Sequence, residues 1–282
     1  MEKKANPSIT ALLRAGAQLI GPLPFEVPAP TATYRLKTGR SERGGDLYQP
    51  RSTGPLNGWG ALIVHGGGFL VGSRTMKPVK GLMSELTLAG AWVAAMDYTL
   101  IPKGGTLSQM TAEVRETLLW CETKLAEQAG ETLKLAGIGF SAGVAPLFHA
   151  ACTLPKSTLD ALVSVYGAME FTEDPAPLIR VVYKRLLRDN QASRWPKQNP
   201  GDALLKSEFK GPSLFLHGTA DSVCPPQTSK RIHQSRVDAG ETSKLVLFPN
   251  QTHGFLNNPT TSNSQAAIAE IIKFLSASTP DP

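Results

Sequence analysis

Residues 133–151 read LKLAGIGFSAGVAPLFHAA, and within them Gly139-Phe140-Ser141-Ala142-Gly143 sets one hydroxyl between two glycines. An apolar run of strand length leads into the motif, and a helical pattern leaves it at once. A sharp strand-to-helix turn exposes such a serine at strained backbone angles, and flanking glycines relieve the crowding around it. The helix that begins behind the serine points unsatisfied amides, with their partial positive charge, at any anion formed there. A merely tight turn would use the same glycines, so the meaning of the motif depends on its partners. A serine hydroxyl is a poor nucleophile at neutral pH and needs a base, usually histidine, oriented by a carboxylate.

Of the five histidines, four lie beyond Ser141. His149 falls two turns along the helix after the motif and would face the wrong way. His217 ends a strand in LFLHGTAD, where a structural role is expected. His233, in SKRIHQSRVDAG, reads as a surface position on a helix. His253, in FPNQTHGF, follows the last strand in a polar loop with Gly254 behind it, which suits a base reaching over a sheet. Asp221, in HGTADSVCPP, lies in the loop after the penultimate strand and is the expected acid. Asp202, in an insertion, and Asp238, in a polar turn, compete less well. The chain order Ser141, Asp221, His253 is the one expected when a serine, a carboxylate and a histidine converge at one end of a doubly covered parallel sheet.

Attack on an acyl carbonyl creates an oxyanion, which needs preorganised donors. His65-Gly66-Gly67-Gly68-Phe69 directly follows an apolar strand upstream, and Gly66 and Gly67 can offer bare amides joined by that of Ala142. A flexible glycine loop is the plainer reading, but it leaves the position of HGGGF unexplained. His65 and Tyr98 are expected to brace this loop. Phe69, Leu70, Phe140, Cys224 and Phe255 neighbour these motifs and are the expected substrate-binding residues, with core packing the alternative for half of them. Cys224 reads as pocket lining, not as a nucleophile, because no histidine is near it in sequence.

Something must hold these residues together. TYRLKT and GGDLYQP read as short strands, and WGALIVHGG, AWVAAMDYTL, TLKLAGIGF, LDALVSVYGA, PSLFLHGT and TSKLVLFPN as further strands. Helical patterns separate or follow them: PVKGLMSELTLAG, then SQMTAEVRETLLWCETKLAEQAG with Met110, Val114, Leu118, Cys121 and Leu125 at helical spacing, then AGVAPLFHAACT, and finally SQAAIAEIIKFLSAS. Strands apolar throughout and alternating with helices predict an α/β fold whose central, mostly parallel sheet is covered on both faces. In such sheets ligands sit beyond the carboxyl ends of the strands, where the unusual tripeptides fall. Residues 172–211 interrupt the alternation. With Leu178, Ile179, Val182, Tyr183 and Leu186 along one face, they form either a small lid or an ordinary packed insertion. The opening ITALLRAGAQLIGPLPF reads as a short helix followed by a loop.

The 282 residues, 41% hydrophobic, suffice for one sizeable core, and residues 1–282 are expected to form a single domain. No apolar run approaches a membrane span, and neither a secretory signal nor a basic, aromatic-interleaved nucleic-acid surface is evident. The net charge of +6 is dispersed, apart from IRVVYKRLLRDN with Arg180, Lys184, Arg185 and Arg188, expected to be the solvated face of a helix. Three scattered cysteines and no metal-ligand cluster point to a reducing, cytoplasmic setting without metal. A homodimer is compatible with these features.

The succession HGGGF, DYTLIP, GFSAG, HGTADSVCP and THGF resembles the α/β-hydrolase superfamily, and within it the hormone-sensitive-lipase-like carboxylesterases, over residues 45–276. That resemblance implies an acyl-serine mechanism on short or medium acyl esters without cofactor. It also implies a small cap, drawn from residues 1–44 and 172–211. It makes Ser141 the nucleophile, His253 the base, Asp221 its partner, and Gly66, Gly67 and Ala142 the oxyanion donors. Two departures stand out. DYTLIP replaces the family's Asp-Tyr-Arg-Leu-Ala-Pro, and HGTADSVCP looks more like the dienelactone-hydrolase or peptidase-type relatives. The same chemistry on a thioester, lactone or amide stays open, as does a non-catalytic receptor on this fold resembling the gibberellin receptors.

Overall fold

The computed structural model of the chain describes residues 19–278, residues 20 and 40 excepted. The expected opening helix, and most of the N-terminal part of the expected cap, lie outside these residues.

Among the described residues, eight strands form one sheet: β1 (Ala32–Thr38), β2 (Ser41–Tyr48), β3 (Trp59–Val64), β4 (Trp92–Met96), β5 (Lys134–Phe140), β6 (Ala161–Val165), β7 (Ser213–Gly218) and β8 (Ser243–Phe248). Their order is β1-β2-β4-β3-β5-β6-β7-β8. β1 and β2 form an antiparallel hairpin and β2 pairs antiparallel with β4, while every pair from β4 through β3 to β8 is parallel. Every residue of β3, β6 and β7 is buried, which only a sheet covered on both faces allows.

Among the described residues there are seven α-helices, α1 (Lys77–Leu88), α2 (Leu107–Ala129), α3 (Val144–Ala151), α4 (Pro177–Leu187), α5 (Pro200–Lys206), α6 (Pro226–Asp238) and α7 (Ser262–Ala277), of which α4 and α5 fall in the segment that interrupts the alternation. Side chains alternate across a strand, so each buried strand feeds two cores. Leu62, Val64, Leu135, Leu162 and Phe215 face α2 through α6, where Met110, Val114, Leu118, Cys121 and Leu125 form the inner stripe of α2. Ala61, Ile63, Ile138, Val163 and Leu216 face α1 and α7, meeting Leu82, Leu86, Ile268 and Ile271. The molecule is thus a helix–sheet–helix sandwich, and its parallel strands all end at one rim.

Residues 172–211 carry α4, a 3-10 helix at Ala192–Gln198, and α5. Tyr183 makes edge-on ring contacts with Phe171 at 5.1 Å and Trp195 at 5.5 Å, so the segment is packed onto the body by aromatic side chains. One expectation about α4 is corrected. Val182 and Leu186 are buried as the helical spacing requires, but Leu178 is 46% exposed and shares the outer side with Val181 at 51%. The inward stripe of α4 therefore runs through Val182, Leu186 and Leu187. No helix of the described residues is long and apolar enough to cross a membrane.

Candidate active site

β5 runs directly into Ser141, whose φ of 47° places a non-glycine residue in the left-handed region, as a serine thrust out of a tight turn requires. The turn is possible because residue 143 lacks a side chain. A Cβ there would lie 2.3 Å from the carbonyl oxygen of His65 and 2.6 Å from that of Val64, both main-chain atoms at the end of β3. We expect Gly143→Ala to cost about 1–3 kcal/mol through overpacking. It should also push the following loop, residues 65–68, off the serine. Thermal unfolding together with labelling of Ser141 checks this, and an unchanged melting temperature with unchanged labelling would contradict it.

The glycine loop lies against the serine. A Cβ on Gly66 would stand 3.2 Å from Ser141 Cβ, and Gly67, at φ 113°, occupies a conformation where a Cβ would meet the Val71 carbonyl at 1.9 Å. Among the described residues the amides of Gly66 and Gly67 have no acceptor. His65 and Tyr98 brace this loop. The His65 ring stacks on Tyr98 at 4.2 Å, the Tyr98 hydroxyl donates to the His65 carbonyl at 3.1 Å, and His65 Nδ1 donates to the Gly66 carbonyl at 2.7 Å. Burial pushes the His65 pKa down, so the brace is a neutral imidazole. Beneath it, Arg74 pairs with Asp97 and, at 2.8 Å, with Asp46. Buried Glu113 accepts from the Thr99 amide at 2.7 Å and fixes the DYTLIP segment to α2.

His253 follows β8 and reaches back over the sheet. The Ser141 hydroxyl donates to its Nε2 at 2.8 Å, and its Nδ1 donates to Asp221 Oδ2 at 2.8 Å. The carboxylate is fully enclosed. Oδ1 accepts from the amides of Val223 at 2.8 Å and Cys224 at 2.9 Å, and Oδ2 receives a second imidazole, His217 Nε2, at 3.2 Å. Burial alone would raise the Asp221 pKa, but the hydrogen bonds it receives from His217 and His253 outweigh it and hold the carboxyl well below the usual range. A hydroxyl, an imidazole with its free nitrogen toward that hydroxyl, and a carboxylate fixing the other nitrogen can together take a proton from oxygen as it attacks carbon.

The five residues expected to bind substrate divide. Leu70, 38% exposed, stands at the surface of the glycine loop, and half-buried Cys224 sits in the Asp221 loop, its thiol pKa pushed well up by burial. Phe69 is buried among Tyr98 and Ile101. Phe140 and Phe255 pack in the core on the α1 and α7 face, the alternative expected for half of the five, and Phe255 also meets the Tyr166 ring at 5.5 Å. For Phe140 the reason is strand alternation, which turns it to the same side of the sheet as Ile138. His149 Nε2 donates to the Gln198 carbonyl at 3.0 Å, apart from this cluster. His233 is half-buried against Ser243 on α6, not a free surface residue.

Sequence reasoning missed Tyr166. It follows β6 at φ 41°, and its ring meets that of His253 edge-on at 5.1 Å and that of Phe255 at 5.5 Å. Its place at a carboxyl end of a central strand was the available signal. Asp221's second histidine was missed as well, since His217 was expected only to support the fold. No group of side chains suited to a metal ion occurs among the described residues.

A helix-covered, mostly parallel sheet with a serine on a strand-to-helix turn at its carboxyl rim is the α/β-hydrolase fold. The chain belongs to the dienelactone hydrolase family, whose model matches residues 104–275. It is 22% identical to the non-reducing polyketide synthase prhL of Penicillium brasilianum, over 76% of this chain but only 12% of that synthase. It is 25% identical to the probable carboxylesterase M8 of a Phoma species, over 68% of this chain and 77% of that protein. Thermogutta terrifontis esterase 2 in its apo form has the same fold, with a TM-score of 0.70 at 20% identity, covering 92% of this chain and 99% of that one. That esterase has also been solved with propionate bound and phosphorylated by paraoxon.

Proposed function

We propose that this protein is a serine esterase that cleaves small carboxylic esters through an acyl-serine intermediate. The observation that carries the reading is the unbroken contact chain from Ser141 Oγ to His253 Nε2 at 2.8 Å and from His253 Nδ1 to Asp221 Oδ2 at 2.8 Å. Ser141 attacks the ester carbonyl while His253 takes its proton. The amides of Gly66, Gly67 and Ala142 receive the negative charge that develops on the carbonyl oxygen. His253 then returns the proton to the departing alcohol as the ester C–O bond breaks. Water repeats the sequence on the acyl-serine and releases the acid. No cofactor takes part.

The dienelactone hydrolase family and the likeness to a carboxylesterase and an esterase favour ester chemistry. The propionate found in the neighbouring esterase agrees with a short acyl group here. The glycine loop that resembles the hormone-sensitive-lipase-like carboxylesterases lies outside residues 104–275 and supplies the oxyanion donors in this reading. The polyketide synthase likeness supports a second reading, the same acyl-serine step on a thioester. A series of p-nitrophenyl esters from acetate to decanoate, run beside acyl thioesters of matching length, separates the two. We expect the short esters to give the largest kcat/KM. Faster turnover of thioesters would favour the second reading, and turnover of neither would remove both.

A further inference from the structure

We propose that His217 is a positioning residue of this site: its Nε2–H bridges the Cys224 carbonyl and the Asp221 carboxylate and holds Oδ2 in line for His253. This rests on the reading of Ser141, His253 and Asp221 given above. His217 is the penultimate residue of β7 and is completely buried. Its Nε2 lies 2.7 Å from the Cys224 carbonyl oxygen and 3.2 Å from Asp221 Oδ2, the oxygen that also receives His253 Nδ1 at 2.8 Å. Both neighbours of Nε2 are acceptors, so a lone pair there would face two oxygens, and the proton must sit on Nε2. At the other side of the ring, Ser229 Oγ of α6 is 2.8 Å from Nδ1. A hydroxyl can donate there, so the neutral Nε2–H imidazole satisfies every contact of the ring.

The mechanical consequence concerns what the carboxylate is fastened to. Among the described residues, Oδ1 accepts from the amides of Val223 and Cys224, which belong to its own loop and move with it. The His217 N–H is the contact that ties the carboxylate, and through the Cys224 carbonyl its loop, to the rigid sheet. His253 comes from a different loop, after β8. The main chains of the two loops are already joined, Ala220 N–H to the Gln251 carbonyl at 3.0 Å and Asn250 N–H to Thr219 Oγ1 at 2.8 Å, so what His217 adds from β7 is the direction of the Asp221 carboxylate itself. The buried Tyr166 hydroxyl does not compete for this role, because among the described residues it has no hydrogen-bond partner.

The test compares His217→Leu, which fills the space without a donor, with His217→Gln, whose amide N–H2 can reach the place of Nε2. Hydrolysis of p-nitrophenyl butyrate is followed across pH, and circular dichroism and thermal unfolding show that each variant is folded. For His217→Leu we expect kcat to fall about tenfold to a hundredfold, the scale of a misplaced catalytic group, with KM within twofold. The acid limb of kcat/KM should move to higher pH, because a carboxylate that has lost one donor holds the imidazolium of His253 more strongly. His217→Gln should recover most of kcat and the original limb. If the leucine variant is unfolded, the glutamine variant decides: near-native kcat supports the proposal, and a tenfold or greater loss of kcat in a folded glutamine variant overturns it. A folded leucine variant with native kcat and an unmoved limb also overturns it. Ser141→Ala, assayed alongside, separates the failures. If it is inactive while His217→Leu is not, only the role of His217 falls; if it is active, the reading of the site falls.

Discussion

Ser141→Ala should leave a folded protein that neither turns over esters nor reacts with a fluorophosphonate probe. The proposed role of this serine is to form the bond that divides one difficult displacement into two easier ones, so no partial function survives its removal. Loss of kcat should be on the order of 10⁵- to 10⁶-fold, the scale seen when a triad serine is removed. That corresponds to about 7–8 kcal/mol of barrier, at about 1.4 kcal/mol per factor of ten. The fold should tolerate the change, because alanine keeps the Cβ against which Gly66 is packed and removes only an oxygen whose partner, His253, is itself held by Asp221. The same probe on the native chain should attach at Ser141, with fluoride as leaving group and His253 accepting the proton. Labelling of the alanine variant, or native turnover by it, would place the nucleophile elsewhere.

Asp221→Asn has the second largest expected effect, and the geometry shows why an isosteric change should be so costly. The oxygen at the Oδ1 position accepts two main-chain amides, from Val223 and Cys224, so the asparagine oxygen must stay there. Its N–H2 then takes the place of Oδ2 and confronts two further donors, His253 Nδ1 and His217 Nε2. Donor against donor is relieved when His253 gives up the Nδ1 proton and carries it on Nε2. That tautomer points N–H at the Ser141 hydroxyl and cannot accept its proton. We expect kcat to fall by roughly 10⁴-fold, as when the carboxylate of such a triad is amidated, with KM little altered. There is also a stability signature. The folded pKa of Asp221 lies below the ordinary value, so its ionised form stabilises the fold at neutral pH. That contribution is lost as pH falls through and below the carboxylate range. The difference in melting temperature between the native chain and Asp221→Asn should therefore shrink on acidification. A variant with native kcat would transfer the role of acid to another carboxylate, with Asp202 and Asp238 next to be replaced.

Much of the fold and of the candidate site is legible along the chain because it is local. A strand that is apolar throughout announces a sheet covered on both sides, and the glycines around Ser141 announce a turn tight enough that residue 143 meets the carbonyl of His65. His253 and Asp221 stand out because each follows a strand in the expected order. The helical stripe of α2 and the bracing of the glycine loop by His65 and Tyr98 follow in the same way, from spacing and neighbouring motifs.

What sequence by itself determines here is which elements form and which polar residues lie at strand ends, because periodicity and turn chemistry act over a few residues. Tertiary structure alone decides what those residues touch. Ser141 and His253 are 112 positions apart, and their contact follows from strand order and loop path. Only packing in three dimensions turns Phe140 and Phe255 into one core, sets Tyr166 edge-on to the imidazole, and seats His217 beside the same carboxylate oxygen as His253. Those placements depend on how two cores and several loops close around one sheet, and that closure is a property of the whole chain.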